Sequence, residues 1–155
     1  MVGLTSEEKA TIETYNKNAR AWAKGHSYDW PDELLVFRKL IPKGKILELD
    51  CANGYVGKLL TDRGYDYVGT DVVPNFVKFA VKKYPGIKFL TKSVYDLKFR
   101  DDSFDGFWAT AILLHISKDN IDIAMQEIRR VVKDRGVGFI TLKEGRGEKT
   151  LTVKS

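Results

Sequence analysis

Apolar residues along this chain follow two alternating rhythms. Ile12, Tyr15, Ala19 and Trp22 recur at helical spacing, predicting a first helix of about five turns that Gly25 ends. Thr5 and Glu8 have the spacing of a capping box at its start. "PDELLVFRKL" predicts a second helix, with Pro31 in its first turn and acidic residues where the helix dipole favours them. Short apolar runs of strand length then appear: "GKILELD", "YDYVGTD", "IKFLT", "SFDGFWAT" and "VGFITLK". Helical patterns separate them, from about Gly54 to Arg63, from Pro74 to Tyr84, and near Lys118 to Lys133. The last places Ile121, Ala124, Met125, Ile128, Val131 and Val132 on one buried face. Short strand-to-helix connections imply right-handed crossovers, and so an α/β fold with a doubly wound, mostly parallel sheet and helices on both faces.

Composition narrows this picture. With 155 residues and 43% hydrophobic content, the chain predicts one domain over 1–155. It divides into an N-terminal helical cover over 1–40, a core over 44–143 and a C-terminal hairpin or tail over 144–155. The net charge of +5 is spread along the chain, which reads as a solvated surface and identifies no acidic partner. Cys51 is the single cysteine, and with only His26 and His115 beside it no metal-ligand spacing appears. A reducing, cytoplasmic setting is expected, with no metal and no membrane partner, since no segment approaches the ~20 apolar residues of a span.

The candidate chemistry centres on "ILELDCANGYVG", a buried strand entering a turn. In doubly wound sheets ligands bind outside the carboxyl ends of the strands, where this loop lies. Asp71 closes the second strand 19 residues after Ala52, beside the same crevice, where a carboxylate can accept two hydrogen bonds from a ribose diol. A nucleoside-containing ligand follows, in two versions. "ANGYVG" is a dinucleotide fingerprint with Ala52 in place of its first glycine, which suits NAD. Alternatively Glu48, followed at alternate positions by residues 50, 52 and 54, suits a ligand carrying an ammonium.

"ILELDCANG" resembles the first motif of the class I S-adenosylmethionine-dependent methyltransferases, an acidic residue followed by three alternating glycines. The likeness continues through "TYNKNARAW", "GYDYVGTDVVPNFVKFAVKKYP", "KFLTKSVYDLKFRDDSFDGFWATAILLHI" and "AMQEIRRVVKDRGVGFITLKEG". It implies a Rossmann-like sheet in strand order 3-2-1-4-5 and methyl transfer from S-adenosylmethionine, with S-adenosylhomocysteine as product. It implies that Glu48 and the backbone around Ala52 and Gly54 face the methionine part. Asp71 would meet the ribose hydroxyls, Val72 the adenine face, Ser93 and Val94 the adenine edge. Ala109 would offer its backbone to the methionine ammonium, and Tyr15 would help cover the cofactor.

The departures carry information too. Asp50 and Ala52 stand where the family commonly has glycine, so Asp50 would repel a ligand carboxylate or attract its ammonium. Ser93 stands where an acidic adenine contact is common. His115, in the turn after the fourth strand, is a candidate general base or a structural residue. Cys51 is either a thiolate at a helix start or a packing residue. His26, Tyr28 and Trp30 either line an acceptor pocket or form an exposed linker. The leading expectation is a small-molecule methyltransferase, with nucleic acid not favoured. A non-catalytic relative that keeps the fold, and an RNA methyltransferase motivated by the charge and the basic tail, are the alternatives. Family members commonly continue beyond the fifth strand through a helix and two strands, whereas Gly147 to Ser155 remain here. A turn at Gly145-Arg146-Gly147 would return Lys149 to Lys154 as an antiparallel edge strand, within a monomer or by exchange in a homodimer.

Overall fold

The computed structural model describes residues 3–25 and 27–145. Five strands, β1 (Lys45–Leu49), β2 (Asp66–Asp71), β3 (Lys88–Thr91), β4 (Phe104–Thr110) and β5 (Val132–Thr141), pair in parallel in the order β3-β2-β1-β4-β5. The chain winds outward from β1 through β2 to β3, then returns to the other side of β1 with β4. That reversal opens a crevice at the carboxyl ends of the central strands. The expected Rossmann-like sheet and strand order are therefore present.

Helices α2 (Pro31–Leu40), α3 (Tyr55–Asp62) and α4 (Pro74–Lys83) cover one face, and α5 (Ile121–Val131) covers the other. On the first face Leu34, Phe37, Leu60 and Ala80 pack with Ile46 and Trp108. On the second, Leu47, Leu49 and Phe104 pack with Ile128 and Val131. Each such side chain removed from water contributes about 1.5–3 kcal/mol, so the sheet's central strands form the rigid floor of the molecule. Phe104 packs on the α5 face although Trp108, four residues on, packs on the other, and a register irregularity lies between Phe104 and Gly106.

Helix α1 (Ser6–Gly25) lies over the carboxyl edge against α4. Its capping box forms: the Thr5 amide donates to Glu8 Oε2 at 2.8 Å, and the Glu8 amide donates to Thr5 Oγ1 at 3.2 Å. Further hydrogen bonds tie the helix down. Asn53 Nδ2 donates to the Ala23 carbonyl at 3.1 Å, and the Asn75 amide donates to Asn16 Oδ1 at 3.0 Å.

Two elements differ from expectation. Residues 118–120 form a single 3-10 turn, capped by Ser117 Oγ accepting from the Asp119 amide at 3.3 Å, and α5 begins only at Ile121. Met125, expected on the buried face, is 37% exposed, at the edge of the stripe formed by Ala124, Ile128 and Val131. Val132 and Lys133 belong to β5, and Val132 pairs with Phe104 before residues 133–136 bulge away opposite Asp105. The regular ladder resumes at Val137, opposite Gly106. The expected strand from Lys149 to Lys154, with most of its turn, lies outside the described residues. Among the described residues no helix is long and apolar enough to cross a membrane.

Candidate functional site

A cavity of about 560 Å³ opens at the carboxyl ends of the strands, beneath α1. Its size is within the range of small-ligand sites. The segment "LDCANG" carries β1 into it, along a backbone that favours glycine. Asp50, Ala52 and Gly54 have φ of 63°, 43° and 76°, left-handed at three alternating positions. Glycine takes this conformation freely, while Ala52 and Asp50 hold it against a steric cost that Asp bears better than Ala. The loop therefore keeps a glycine-type course with two side chains added.

Three carboxyl groups gather on the floor. Glu48 is 2% exposed and accepts a hydrogen bond from the Tyr67 hydroxyl. Gly69, paired with Glu48 across β1 and β2, makes room for that contact: a Cβ there would lie 2.3 Å from the Tyr67 hydroxyl. Burial pushes Glu48 well above the carboxylate range, reinforced by Asp71 and Asp50 and opposed by the Tyr67 bond. Asp71 accepts from the Ala52 amide at 2.9 Å and the Val73 amide at 2.8 Å. Burial nonetheless raises it to about 6 against those donors. Asp50 lines the same cavity as Asp71, and burial, then the charge of Asp71, drive it well above its ordinary value. Cys51, 3% exposed, is pushed upward first by burial and then by these three acids, so it is a packing residue and not a thiolate.

The walls are aromatic and apolar. Tyr15 from α1 meets Trp22 and Phe76, and its ring centroid lies 5.4 Å from that of His115. The Tyr15 hydroxyl is 3.4 Å from His115 Nε2. Burial lowers the His115 pKa, which favours neutral imidazole. Glu8, whose role beyond the cap has no local sequence signal, reaches across the cavity's rim. Its Oε1 accepts from the Tyr95 hydroxyl and from the Ser117 amide, joining α1 to the loops after β3 and β4.

The family model described as a methyltransferase domain matches residues 47–140, from within β1 through most of β5. The chain belongs to the methyltransferase domain family. This methyltransferase domain is 28% identical, over 125 residues, to the uncharacterised protein MJ1123 of Methanocaldococcus jannaschii, which covers 81% of the chain and 57% of that protein. Among solved structures, the PH0226 protein of Pyrococcus horikoshii OT3 superposes with a TM-score of 0.63 at 25% identity, over 88% of this chain and 59% of that one. DhpI, solved in complex with SAH, has a TM-score of 0.73 at 17% identity, over 89% and 70% of the two chains, a likeness of fold. The chain thus spans less than two thirds of the length of MJ1123 and PH0226.

Within the methyltransferase domain, Tyr15, Glu48, Asp50, Ala52, Asp71, Val72, Ser93, Val94 and His115 all line the cavity. Gly54 does not: a Cβ there would lie 2.7 Å from the Phe89 ring and 2.9 Å from Ala80, so it seats the loop on the layer below. Ala109 stays inside the β4 ladder between Leu49 and Ile140, and the next residues, Thr110 and Ala111, reach the cavity instead. Ser93 is engaged locally, its hydroxyl accepting from the Tyr95 amide at 3.2 Å. Tyr28 and Trp30 line the cavity mouth with ring centroids 4.7 Å apart, while His26 lies outside the described residues. Sequence reasoning missed Tyr67 and Glu8. The glycine opposite Glu48 was the available signal for the first.

Proposed function

We propose that this methyltransferase domain binds S-adenosylmethionine in the cavity at the carboxyl edge and passes its methyl group to a small-molecule acceptor, leaving S-adenosylhomocysteine. The observation that carries the reading is that Asp71, at the end of β2, lines the cavity together with Val72, Ser93 and Val94. A carboxylate offers about four acceptor positions. Two are taken by the Ala52 and Val73 amides, which fix its orientation, and the remainder can meet a ribose diol. Val72 and Val94 would flank the base and Ser93 its edge. Glu48, Asp50 and the Ala52 backbone would face the charged tail, with the Thr110 and Ala111 backbone nearby.

When bound, S-adenosylmethionine supplies an electrophilic methyl on a sulfonium. The chain's contribution is orientation and exclusion of water: α1, held down through Glu8, Asn16 and Ala23, closes the cavity over the sheet. Holding reactants in line supplies several kcal/mol without a dedicated base. His115, neutral and within reach of the Tyr15 hydroxyl, is placed to accept a proton from a hydroxyl, thiol or amine acceptor at the aromatic side. A covered cavity of this volume favours a small acceptor over RNA.

Calorimetric titration with S-adenosylmethionine tests the reading. The wild-type chain should bind it, and Asp71→Ala should lose about 1.5–3 kcal/mol of affinity, the scale of charge-assisted hydrogen bonds. Undiminished binding by Asp71→Ala would remove the assignment of the ribose site.

A further inference from the structure

The net charge of +5 looks dispersed along the sequence, but the fold gathers it. Residues 14–28 carry three lysines or arginines and residues 72–95 carry five, and neither segment holds an acid. These basic residues exceed the net charge of the whole chain, so the remainder is net negative. The first segment covers the second half of α1, the second contains α4, and the two helices pack together. At their junction the Asn75 amide donates to Asn16 Oδ1 at 3.0 Å, Asn75 Nδ2 donates to the Asn16 carbonyl at 2.9 Å, and the Trp22 and Phe76 ring centroids stand 5.1 Å apart. From there Arg20 and Lys24 follow Asn16 along one flank of α1, while Lys78 and Lys82 follow Asn75 along one flank of α4. Four-residue steps set successive cations about 6 Å apart along each helix. Lys17 and Lys83 widen the stripe, the latter with its Nζ 5.7 Å from the Phe79 ring centroid and 5.2 Å from that of Tyr84. All six cations are exposed and none forms an ion pair among the described residues, whereas Lys58, Arg129, Arg130 and Lys133 each have an acid partner.

We propose that this α1–α4 face is a docking surface for the phosphate backbone of a nucleic-acid strand, a binding function separate from the cavity. None of the six cations lines the cavity, so the inference is independent of the cofactor reading and leaves the small-molecule acceptor as it stands. Cations at one-turn spacing with no acid between them suit an anion that repeats its charge, as a nucleic acid does at every nucleotide. A protein partner would need an apolar centre to its interface, and a membrane would need apolar side chains to enter its acyl boundary. On α1 and α4 the exposed large apolar residue is Val81 alone, at 46%. Phosphate contacts position a strand without reading its bases, so the surface would hold a strand of any sequence. Its two halves meet across 59 positions of the chain, which is why no run of residues displays it.

The test is fluorescence anisotropy of a labelled single-stranded RNA of mixed sequence, about 20 nucleotides long, titrated between about 50 and 200 mM salt. Three proteins are compared: wild type, Lys78→Gln with Lys82→Gln, and a control, Lys39→Gln with Lys43→Gln. The control removes the same charge from exposed positions at and after the end of α2, the helix that contacts β5, whereas α4 lies against β2 and β3. Wild type should bind with a Kd of about 1–100 μM near 100 mM salt, and log affinity should fall against log salt with a slope of about −3 to −4, as four to six phosphate contacts on a single strand require. Lys78→Gln with Lys82→Gln should weaken binding about tenfold or more and make the slope shallower by about 1.4, while the control stays within about threefold of wild type. Polyglutamate, and vesicles of phosphatidylserine and phosphatidylcholine, should displace the RNA poorly at equal charge concentration. Absence of RNA binding at the lowest salt, no loss in Lys78→Gln with Lys82→Gln, equal losses in the two variants, or ready displacement by polyglutamate or by the vesicles would each overturn the inference. Binding of S-adenosylmethionine should be the same in all three proteins, which keeps a failure of this surface distinct from a failure of the cofactor site.

Discussion

Replacing Asp50 with asparagine should change the stability of the unliganded protein in a way that depends on pH. Asp50 sits well above its ordinary value through burial and the charge of Asp71. An acid whose folded pKa exceeds its unfolded one holds more protons in the folded state, so stability falls as pH rises between the two values. Each pH unit in that window costs about 1.4 kcal/mol. Above about pH 5, beyond the unfolded value, Asp50 should therefore cost stability that asparagine does not, and the cost should grow until the pH passes its folded value. Other groups titrate nearby: His115 is lowered by burial and acts in the opposite direction, while Glu48 and Asp71 act in the same direction as Asp50. His115 and Glu48 are common to both proteins, so the difference between wild type and Asp50→Asn isolates the residue at 50 and its coupling to Asp71. Urea denaturation across that range should give two curves that diverge, Asp50→Asn gaining on wild type as pH rises. Parallel curves would show that Asp50 ionises freely in the folded protein and would refute its raised pKa.

Ala52→Gly should stabilise the unliganded chain by about 0.5–1 kcal/mol, because relief of the left-handed conformation outweighs the greater freedom of glycine when unfolded; thermal unfolding should shift upward by about 1–4 °C. Tyr67→Phe removes the donor to buried Glu48 and should destabilise by about 1–3 kcal/mol in urea, with a steeper loss at high pH as Glu48 is forced to ionise without it. Glu8→Ala loses the cap and both rim contacts, and hydrogen exchange should accelerate over the first turns of α1 while β1 and β4 stay protected.

The sheet was legible because apolar runs and helical spacing act locally. Ile46 to Leu49 and Tyr67 to Asp71 are buried strands whatever surrounds them, and short connections leave few topologies. The carboxyl edge followed from that topology, and with it Asp71; Val72, Ser93 and Val94, which the family resemblance implied, line the same cavity. What escaped depends on contacts between distant residues or on helix phase. Glu8 meets Tyr95 and Ser117 across separations of 87 and 109 residues, which no local pattern encodes. Met125 was assigned to the buried face by its helical spacing with Ile121 and Ile128, but it sits at the edge of that stripe and is exposed. Gly54 has the alternating spacing of a ligand-facing glycine, yet Phe89 and Ala80 beneath it are what exclude a side chain. Asp50 and Asp71 are 21 positions apart, and only the fold shows that they line one cavity.

The central claim is that a nucleoside cofactor occupies the crevice beside Asp71. Amide NMR spectra of the labelled chain during titration with S-adenosylmethionine test it residue by residue. Saturable shifts should concentrate at Ala52, Val72, Val73, Ser93, Val94 and Ala111, with α5 unmoved. Saturable shifts confined to another face, or none at ligand concentrations that saturate a weak site, would contradict it.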